Sequence, residues 1–153
     1  MNSLRRSSLA VAPSAIAPHV KPAARKRTIL VADDNTDNRD MMQMLLGLKG
    51  YDVIVATDGP EAVRIALAQL PDLILLDLEL PCLDGLAVAE QLRRRAGFNS
   101  VPIVMVSGHD PRKHRQQALD AGCTDYLFKP IDFERLDEIL DETAPLDGRA
   151  CEV

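Results

Sequence analysis

The sequence predicts a doubly wound α/β domain with a five-stranded parallel sheet. Five short runs rich in β-branched residues or leucine alternate with five amphipathic stretches, which is typical of repeated βα units with helices on both sheet faces. The predicted strands are Thr28–Ala32, Asp52–Ala56, Leu73–Asp77, Ile103–Ser107 and Tyr126–Phe128. The predicted helices cover residues 36–49, 60–69, 85–95, 111–121 and 132–142.

Turn and cap residues separate these elements where the pattern requires them. Gly50 follows the first predicted helix and Gly122 the fourth, as expected of residues just past a helix end. The segment Asp58-Gly59-Pro60-Glu61 supplies a cap, an early proline and a first-turn acid for the second helix. The helix boundaries therefore have local support in addition to the hydrophobic pattern.

Composition indicates one globular domain that stays in solution. The 153 residues are 46% hydrophobic and 27% charged, and no apolar run is long enough to span a membrane. Tryptophan is absent, and two tyrosines and three phenylalanines are too few for a base-stacking platform. The three cysteines (Cys82, Cys123 and Cys151) lack metal-ligand spacing. Free thiols in a reducing compartment, the cytoplasm, account for them.

Charge divides the chain into a basic tail and an acidic body. Residues 1–27 hold six basic residues and no acid, which leaves a net charge of −11 on the remaining 126 residues. We interpret residues 1–27 as a disordered tail or linker, 28–143 as the domain and 144–153 as a short C-terminal tail. A signal or transit peptide is disfavoured because Pro13 and Ser14 interrupt the apolar stretch. The acidic body argues against nucleic acid as a partner.

Polar residues follow four of the five predicted strands, at the point where each strand ends. Because the carboxyl ends of parallel strands meet at one sheet edge, we expect these side chains to lie together. About 10 Å separates alternate strands, a span that an extended lysine and an aspartate bridge together. The residues are Asp33-Asp34, Asp77, Ser107-Gly108 and Lys129-Pro130.

This set of residues suits phosphoryl transfer to a carboxylate. Clustered carboxylates repel one another unless a cation joins them, and oxygen ligands with spare coordination positions suit Mg²⁺. A carboxylate can act as a nucleophile toward phosphorus, as in aspartyl phosphates. A lysine and a hydroxyl donor then balance the charge on the transferring group.

Five segments together resemble the receiver domains of two-component response regulators, the chemotaxis regulators among them. The resemblance covers residues 28–143 and implies a flavodoxin-like three-layer sandwich with strand order 2-1-3-4-5. The segments are Val31-Ala32-Asp33-Asp34, Leu75-Leu76-Asp77-Leu78-Glu79-Leu80-Pro81, Asp84-Gly85, Val106-Ser107-Gly108 and Ala121-Gly122-Cys123-Thr124-Asp125-Tyr126-Leu127-Phe128-Lys129-Pro130.

The resemblance implies a role for each matched residue. Asp77 is then the phosphoacceptor, and Ser107 and Lys129 contact the phosphoryl oxygens. Mg²⁺ (or Mn²⁺) is ligated by Asp34, Asp77 and the Glu79 backbone carbonyl, with Asp33 acting through a water. Ser107 and Tyr126 form the switch pair. The Lys129-Pro130 peptide bond is expected to be cis.

The implied function is phosphorylation-dependent signalling. Phosphoryl arrives from a phosphohistidine on a histidine kinase or a histidine phosphotransfer domain, and a conformational change reaches an output partner that the sequence does not identify. Such a domain catalyses only its own phosphorylation and dephosphorylation and needs neither nucleic acid nor a membrane. Two alternatives stay open: a Mg²⁺-dependent aspartyl-phosphate phosphatase using Asp77-Leu78-Glu79, and a scaffold that is never phosphorylated.

Two surfaces carry further signals. The first helix has more apolar residues than one packed face needs, which indicates either core filling or a docking face for a histidine-bearing helix. The fourth helix is basic and the fifth acidic, which allows a charge-paired homodimer or two solvated faces. The apolar set is Met41, Met42, Met44, Leu45, Leu46 and Leu48.

Overall fold

The computed structural model describes residues 26–144 and contains the ten predicted elements in the predicted order. The tails expected beyond these residues lie outside the described part. Between Lys26 and Ala144, every helix is too short or too polar to cross a bilayer. The elements are β1 Thr28–Ala32, α1 Thr36–Leu48, β2 Asp52–Ala56, α2 Gly59–Gln69, β3 Leu73–Asp77, α3 Gly85–Arg93, β4 Ile103–Ser107, α4 Pro111–Asp120, β5 Asp125–Phe128 and α5 Phe133–Glu142.

All five strands are parallel and follow the order β2-β1-β3-β4-β5, which confirms the predicted topology. Strands β3 and β4 are buried along their whole length, because helices cover both faces of the sheet. Alternate residues along the strands pack into two separate hydrophobic cores, one on each face of the sheet. Leu76 and Met105 pack with α2, α3 and α4, whereas Leu75 and Val104 pack with α1 and α5.

Strands β1 to β4 have the predicted bounds, whereas β5 and the helices differ from the sequence prediction by one or two residues at an end. Helix α3 ends at Arg93, since the Arg95 N–H turns back to the Leu92 carbonyl and Gly97 adopts a φ of 96°. This turn returns Phe98 to the core. The Lys129-Pro130 peptide is cis, as predicted.

The apolar excess of α1 divides between the core and solvent. Met42 and Leu46 are buried, whereas Met41, Met44 and Leu48 have exposed fractions of 37%, 60% and 80%. Core filling therefore explains only part of the set, and an apolar strip faces outward along α1.

Asp125 at the start of β5 joins α4 and α5 within one chain through one arginine from each helix. Arg115 of α4 lies 3.0 Å from a carboxylate oxygen of Asp125, and Arg135 of α5 binds the other oxygen. Burial alone would raise the pKa of Asp125, but the Tyr126 N–H and the two guanidinium groups lower it. Arg115 and Arg135 thus already have an intramolecular partner, and homodimerisation stays a prediction.

Arg27, which the sequence assigns to the tail, is part of the folded body. Its guanidinium donates to the carbonyls of Leu140 (3.0 Å) and Thr143 (2.9 Å) at the end of α5. Its carbonyl accepts the Asp52 N–H, and the guanidinium lies 5.9 Å from the Tyr51 ring centre. Arg27 therefore satisfies orphan carbonyls of α5 and joins both ends of the domain.

Deleting residues 1–26 should preserve the melting temperature and phosphoryl labelling. Thermal unfolding and labelling with acetyl phosphate test this deletion.

Arg27→Ala should lower the free energy of unfolding by about 1–3 kcal/mol, because several hydrogen bonds from a charged group are lost. Lys26→Ala is the control: its ion pair with Asp52 (3.9 Å) is exposed and contributes at most about 1 kcal/mol. Urea unfolding measures the free energy of unfolding of both alanine variants. Equal losses for the two alanine variants would contradict the proposed role of Arg27.

Candidate active site at the carboxyl edge of the sheet

Four strand ends bring the predicted site residues together at one edge of the sheet. Asp33 follows β1, Asp77 ends β3, Ser107 ends β4 and Lys129 follows β5. The Lys129 ammonium nitrogen lies 3.2 Å from an oxygen of Asp77 and 3.5 Å from an oxygen of Asp33. The lysine thus spans the distance between β5 and β3, as expected from the spacing of the strands.

Three carboxylates converge beside this lysine. One oxygen from each of Asp33, Asp34 and Asp77 lies within 4.8 Å of the other two. Asp33 and Asp77 are buried, whereas Asp34 is exposed. Hard oxygen ligands that are open to solvent on one side suit a divalent cation that keeps part of its water shell. The donor set therefore fits Mg²⁺ chemistry.

Burial and mutual charge shape the protonation of this cluster. Burial raises the pKa of Asp77 above its ordinary value, and the neighbouring Asp33 charge adds to the increase, while the Glu79 N–H and Lys129 oppose it. Burial would lower the pKa of Lys129, but Asp77 and Asp33 raise it above its ordinary value. Lys129 is therefore held in its cationic form between two carboxylates.

The loop after β1 binds the Asp33 side chain on several sides. One Asp33 oxygen accepts the Asn35 N–H at 2.8 Å, and the other accepts from the Asn38 side chain at 3.3 Å. The Arg39 guanidinium donates to the Asp33 carbonyl at 2.9 Å. Because these bonds already engage both oxygens, Asp33 is less available than Asp34 as a direct metal ligand.

The loop after β3 is held by a close backbone approach. The Gly85 N–H donates to the Leu78 carbonyl at 2.8 Å, and a Cβ at Gly85 would lie 2.5 Å from the Asp77 carbonyl oxygen. Glycine is required there because α3 begins against the end of β3. Asp84 caps α3 by accepting the Ala87 N–H.

The predicted switch residues Ser107 and Tyr126 meet at His109. The Ser107 hydroxyl oxygen accepts the His109 N–H at 3.0 Å, and the Tyr126 hydroxyl donates to the His109 carbonyl at 2.9 Å. Ser107 and Tyr126 are both buried. The His109 ring nitrogen Nε2 contacts the Glu79 carboxylate. This role of His109 was not predicted from the sequence.

A cavity of about 490 Å³ opens beside the acidic cluster on the side of α1. Its apolar part is formed by two methionines of α1 and by the segment after β5. The lining residues are Asp33, Asn38, Met41, Met42, Lys129, Pro130, Ile131 and Phe133. The site is therefore accessible from the same side as the exposed apolar strip of α1.

Of the cysteines in the described residues, Cys82 and Cys123, neither is part of this cluster. Cys82 is a free, exposed thiol in the loop after β3, and Cys123 is free and buried. Burial raises the pKa of the Cys123 thiol to about 12, which makes it unreactive. Cys151 lies outside the described residues.

Comparison with known families agrees with this fold and site. The family model described as the response regulator receiver domain matches residues 29–141. The chain belongs to this family, the receiver domains of two-component systems, whose members are phosphoacceptors. The match covers essentially all of the domain predicted at residues 28–143.

Curated relatives are longer than this chain. The response regulator MprA of Mycolicibacterium vanbaalenii is 39% identical over 124 residues, which cover 78% of this chain and 53% of that protein. The DNA-binding dual master transcriptional regulator RpaA of Synechocystis is 38% identical over 108 residues, which cover 71% and 45%. The chain thus spans about half the length of these relatives.

Solved structures share the fold over nearly their whole length. The chemotaxis protein CheY4 of Vibrio cholerae matches with a TM-score of 0.73 and 28% identity, covering 78% of this chain and 100% of that one. The receiver domain of the sensor histidine kinase PA1611 of Pseudomonas aeruginosa matches with a TM-score of 0.71 and 35% identity, covering 77% and 97%. That structure has a magnesium ion coordinated in its active-site cleft.

Proposed function

We propose that residues 28–143 accept a phosphoryl group on Asp77 from a phosphohistidine and signal through the resulting conformational change. The observation that carries this proposal is the convergence of Lys129 and three carboxylates around Asp77. Asp77 is the acid that ends a buried central strand, so its carboxylate has a fixed position. In the transfer, an Asp77 oxygen bonds to phosphorus while the bond from phosphorus to the histidine nitrogen breaks.

Lys129 and Ser107 are proposed to contact the transferred group. The Lys129 ammonium already lies beside the Asp77 oxygen, where it can balance charge on the phosphoryl oxygens. The Ser107 hydroxyl accepts the His109 N–H and keeps its own proton for donation to a phosphoryl oxygen. Tyr126 donates its own hydrogen bond to the His109 carbonyl, so Ser107 and Tyr126 share His109 as a partner. This shared partner supports the pairing of Ser107 and Tyr126 as the switch.

Asp34, Asp77 and the Glu79 carbonyl are proposed to hold Mg²⁺ (or Mn²⁺), with Asp33 acting through a water. When bound, the cation would neutralise charge on the carboxylates and the phosphoryl oxygens. The exposure of Asp34 and the hydrogen bonds that engage Asp33 support this division of roles.

Asp77→Asn should abolish phosphoryl uptake without unfolding the domain. The amide cannot act as the nucleophile, and removing a buried charge beside Asp33 relieves repulsion, so the melting temperature should not fall. Acetyl phosphate with Mg²⁺, followed by intact mass and peptide mapping, tests this. Asp120→Asn, which changes an exposed acid at the end of α4, is the control and should label normally. Full labelling of Asp77→Asn would refute the assignment.

Asp34→Ala should abolish Mg²⁺ binding in the unphosphorylated protein, whereas Asp33→Ala should weaken it about tenfold. That smaller loss is the size expected for a residue acting outside the metal's direct ligand shell. Isothermal titration measures both, with Asp37→Ala as a control that removes an exposed acid from the first turn of α1. A larger loss for Asp33→Ala than for Asp34→Ala would reverse the proposed roles.

The proposed phosphodonor is a histidine kinase or a histidine phosphotransfer domain that docks on α1. The outward strip of Met41, Met44 and Leu48 begins at the open cavity, which Met41 lines, and continues along α1. Exposed methionines suit an adaptable contact with an apolar helix face. Homodimerisation is a separate prediction.

Met44→Glu should slow phosphotransfer from a phosphorylated histidine protein at least tenfold. A charge in the centre of an apolar contact loses its hydration on docking, and tenfold corresponds to about 1.4 kcal/mol. Labelling by acetyl phosphate should not change. Leu70→Glu is the matched control, because Leu70 is 65% exposed at the far end of α2. Normal transfer to Met44→Glu would exclude α1 as the docking face.

The catalysis we propose is limited to the chain's own phosphorylation and dephosphorylation, in the cytoplasm. No observation favours the phosphatase or the scaffold alternative. RpaA is named as DNA-binding, but this chain spans less than half of it. The acidic charge of the body supports the proposal that the receiver domain does not bind nucleic acid.

A further inference from the structure

We infer that the edge of the sheet opposite Asp77 carries a second binding site, which takes a small monocarboxylate with an apolar body. The site is a cavity of about 470 Å³ where β1, β3 and β4 begin and α5 ends. We call it the amino-edge cavity. The inference goes beyond the proposed function and does not depend on it, because the cavity shares no lining residue with the acidic cluster.

Backbone hydrogen bonds fix the shape of the amino-edge cavity. The Asp72 N–H donates to the Thr28 carbonyl at 2.8 Å, which joins the loop before β3 to β1. The Ile74 N–H donates to the Pro102 carbonyl at 3.0 Å, which joins β3 to the loop before β4. The size and the fixed walls of this cavity are typical of small-molecule sites, which are usually formed before the ligand binds.

The wall of the cavity is mainly apolar on the side of the loops before β3 and β4. Leu70 and Pro71 come from the first of these loops. Phe98, Val101 and Pro102 come from the second. Such a wall suits the apolar part of a ligand, which gains free energy when its surface leaves water.

Leu70 is an unfavourable residue at its position unless something covers it. It ends α2 with a left-handed φ of 51°, a conformation that favours glycine or asparagine. It is also 65% exposed, so it adds little to the hydrophobic cores. Leucine therefore brings a backbone cost there without a matching packing gain among the described residues. An apolar ligand that covers Leu70 accounts for this combination.

Arg27 supplies the polar part of the site. Its terminal nitrogens donate to the carbonyls of Leu140 and Thr143, which carry no charge. Its Nε is buried and has no hydrogen-bond partner within residues 26–144. Buried donors without a partner are rare and call for an explanation. A ligand carboxylate that accepts from Nε would supply both an acceptor and an opposite charge.

The lining also limits the charge of the ligand. Asp72 is the acidic residue of the cavity, and its Oδ2 accepts the Thr28 N–H at 2.7 Å. One guanidinium and one carboxylate in the same lining favour a ligand with a single negative charge over phosphate or a dicarboxylate. Each further negative charge on the ligand would be repelled by Asp72.

Benzoate is the probe, because it combines an apolar ring with one carboxylate. Benzamide keeps the ring and lacks the charge, whereas acetate keeps the charge and lacks the ring. Each compound is titrated into the full chain, without Mg²⁺ or a phosphodonor, and binding is followed through the backbone amide signals in NMR spectra. The signals of Asp72, Ser100 and Val101 report binding in the amino-edge cavity, and that of Lys129 reports binding at the acidic cluster.

Benzoate should move the three cavity signals together, with a dissociation constant on the order of 1 mM, as expected of so small a ligand. Benzamide and acetate should each bind at least about tenfold more weakly, because each lacks one half of the recognition. The Lys129 signal should not move.

Leu70→Asn and Arg27→Lys test the two halves of the site separately. Leu70→Asn should raise the melting temperature by about 2–4 °C, because asparagine tolerates the left-handed backbone. The same variant should weaken benzoate binding about fivefold, since the apolar contact is lost. Arg27→Lys keeps the charge and removes Nε, and it should weaken binding about tenfold. Gln69→Asn, at the exposed neighbouring residue, is the control and should bind benzoate normally.

Absence of movement in the cavity signals, or movement of the Lys129 signal in their place, would overturn the inference. Equal affinity for benzoate and benzamide would overturn it too, because the carboxylate would then make no contact with Arg27. The same holds if Leu70→Asn keeps full benzoate affinity or has a lower melting temperature than the wild type. If Arg27→Lys does not fold, the comparison of benzoate with benzamide still tests the carboxylate contact.

Discussion

Lys129 balances the negative charge that a parallel sheet concentrates at one edge of this domain. The carboxyl ends of β1 and β3 meet there, so Asp33 and Asp77 are buried side by side, and burial together with the Asp33 charge raises the pKa of Asp77. The ammonium of Lys129, 3.2 Å from Asp77 and 3.5 Å from Asp33, opposes the rise in the pKa of Asp77 and so favours its charged carboxylate. A nucleophilic carboxylate and a cation site both require this, because each depends on carboxylate oxygens that carry charge.

The same short turn follows three adjacent strands and orients the side chains of the site. The side-chain oxygens of Asp33, Asp77 and Ser107 each accept the N–H of the residue two positions later. Such a turn holds the functional side chain against its own loop, which limits its rotamers before any ligand binds. The three turns differ mainly in their third residues, which are Asn35, Glu79 and His109. Two of these, Glu79 and His109, contact each other through their side chains.

Much of this arrangement was predictable from the sequence, because strand ends are local features and a parallel sheet places them together. The five strands, their order and the meeting of Lys129 with Asp77 followed from hydrophobic pattern, polar residues at strand ends and family resemblance. Three contacts were not predictable. They are the hydrogen bonds of Arg27 to the end of α5, the pairing of Arg115 and Arg135 with Asp125, and the contact of His109 with Glu79. Each joins a long or charged side chain to a group on a different element, and many such pairings are compatible with one sequence.

His109 connects the site residue Ser107 with the surface at the start of α4. Its N–H binds Ser107, its carbonyl accepts from Tyr126 and its ring contacts Glu79 and packs on His114 at the start of α4. A movement of Ser107 toward a phosphoryl oxygen would therefore shift all of these contacts at once. Each hydrogen bond contributes about 1 kcal/mol, so two or three suffice for a coupling energy of about 1–3 kcal/mol, the usual size between linked sites. A single turn can thus connect a movement of Ser107 with the position of α4, without a long chain of intermediate residues.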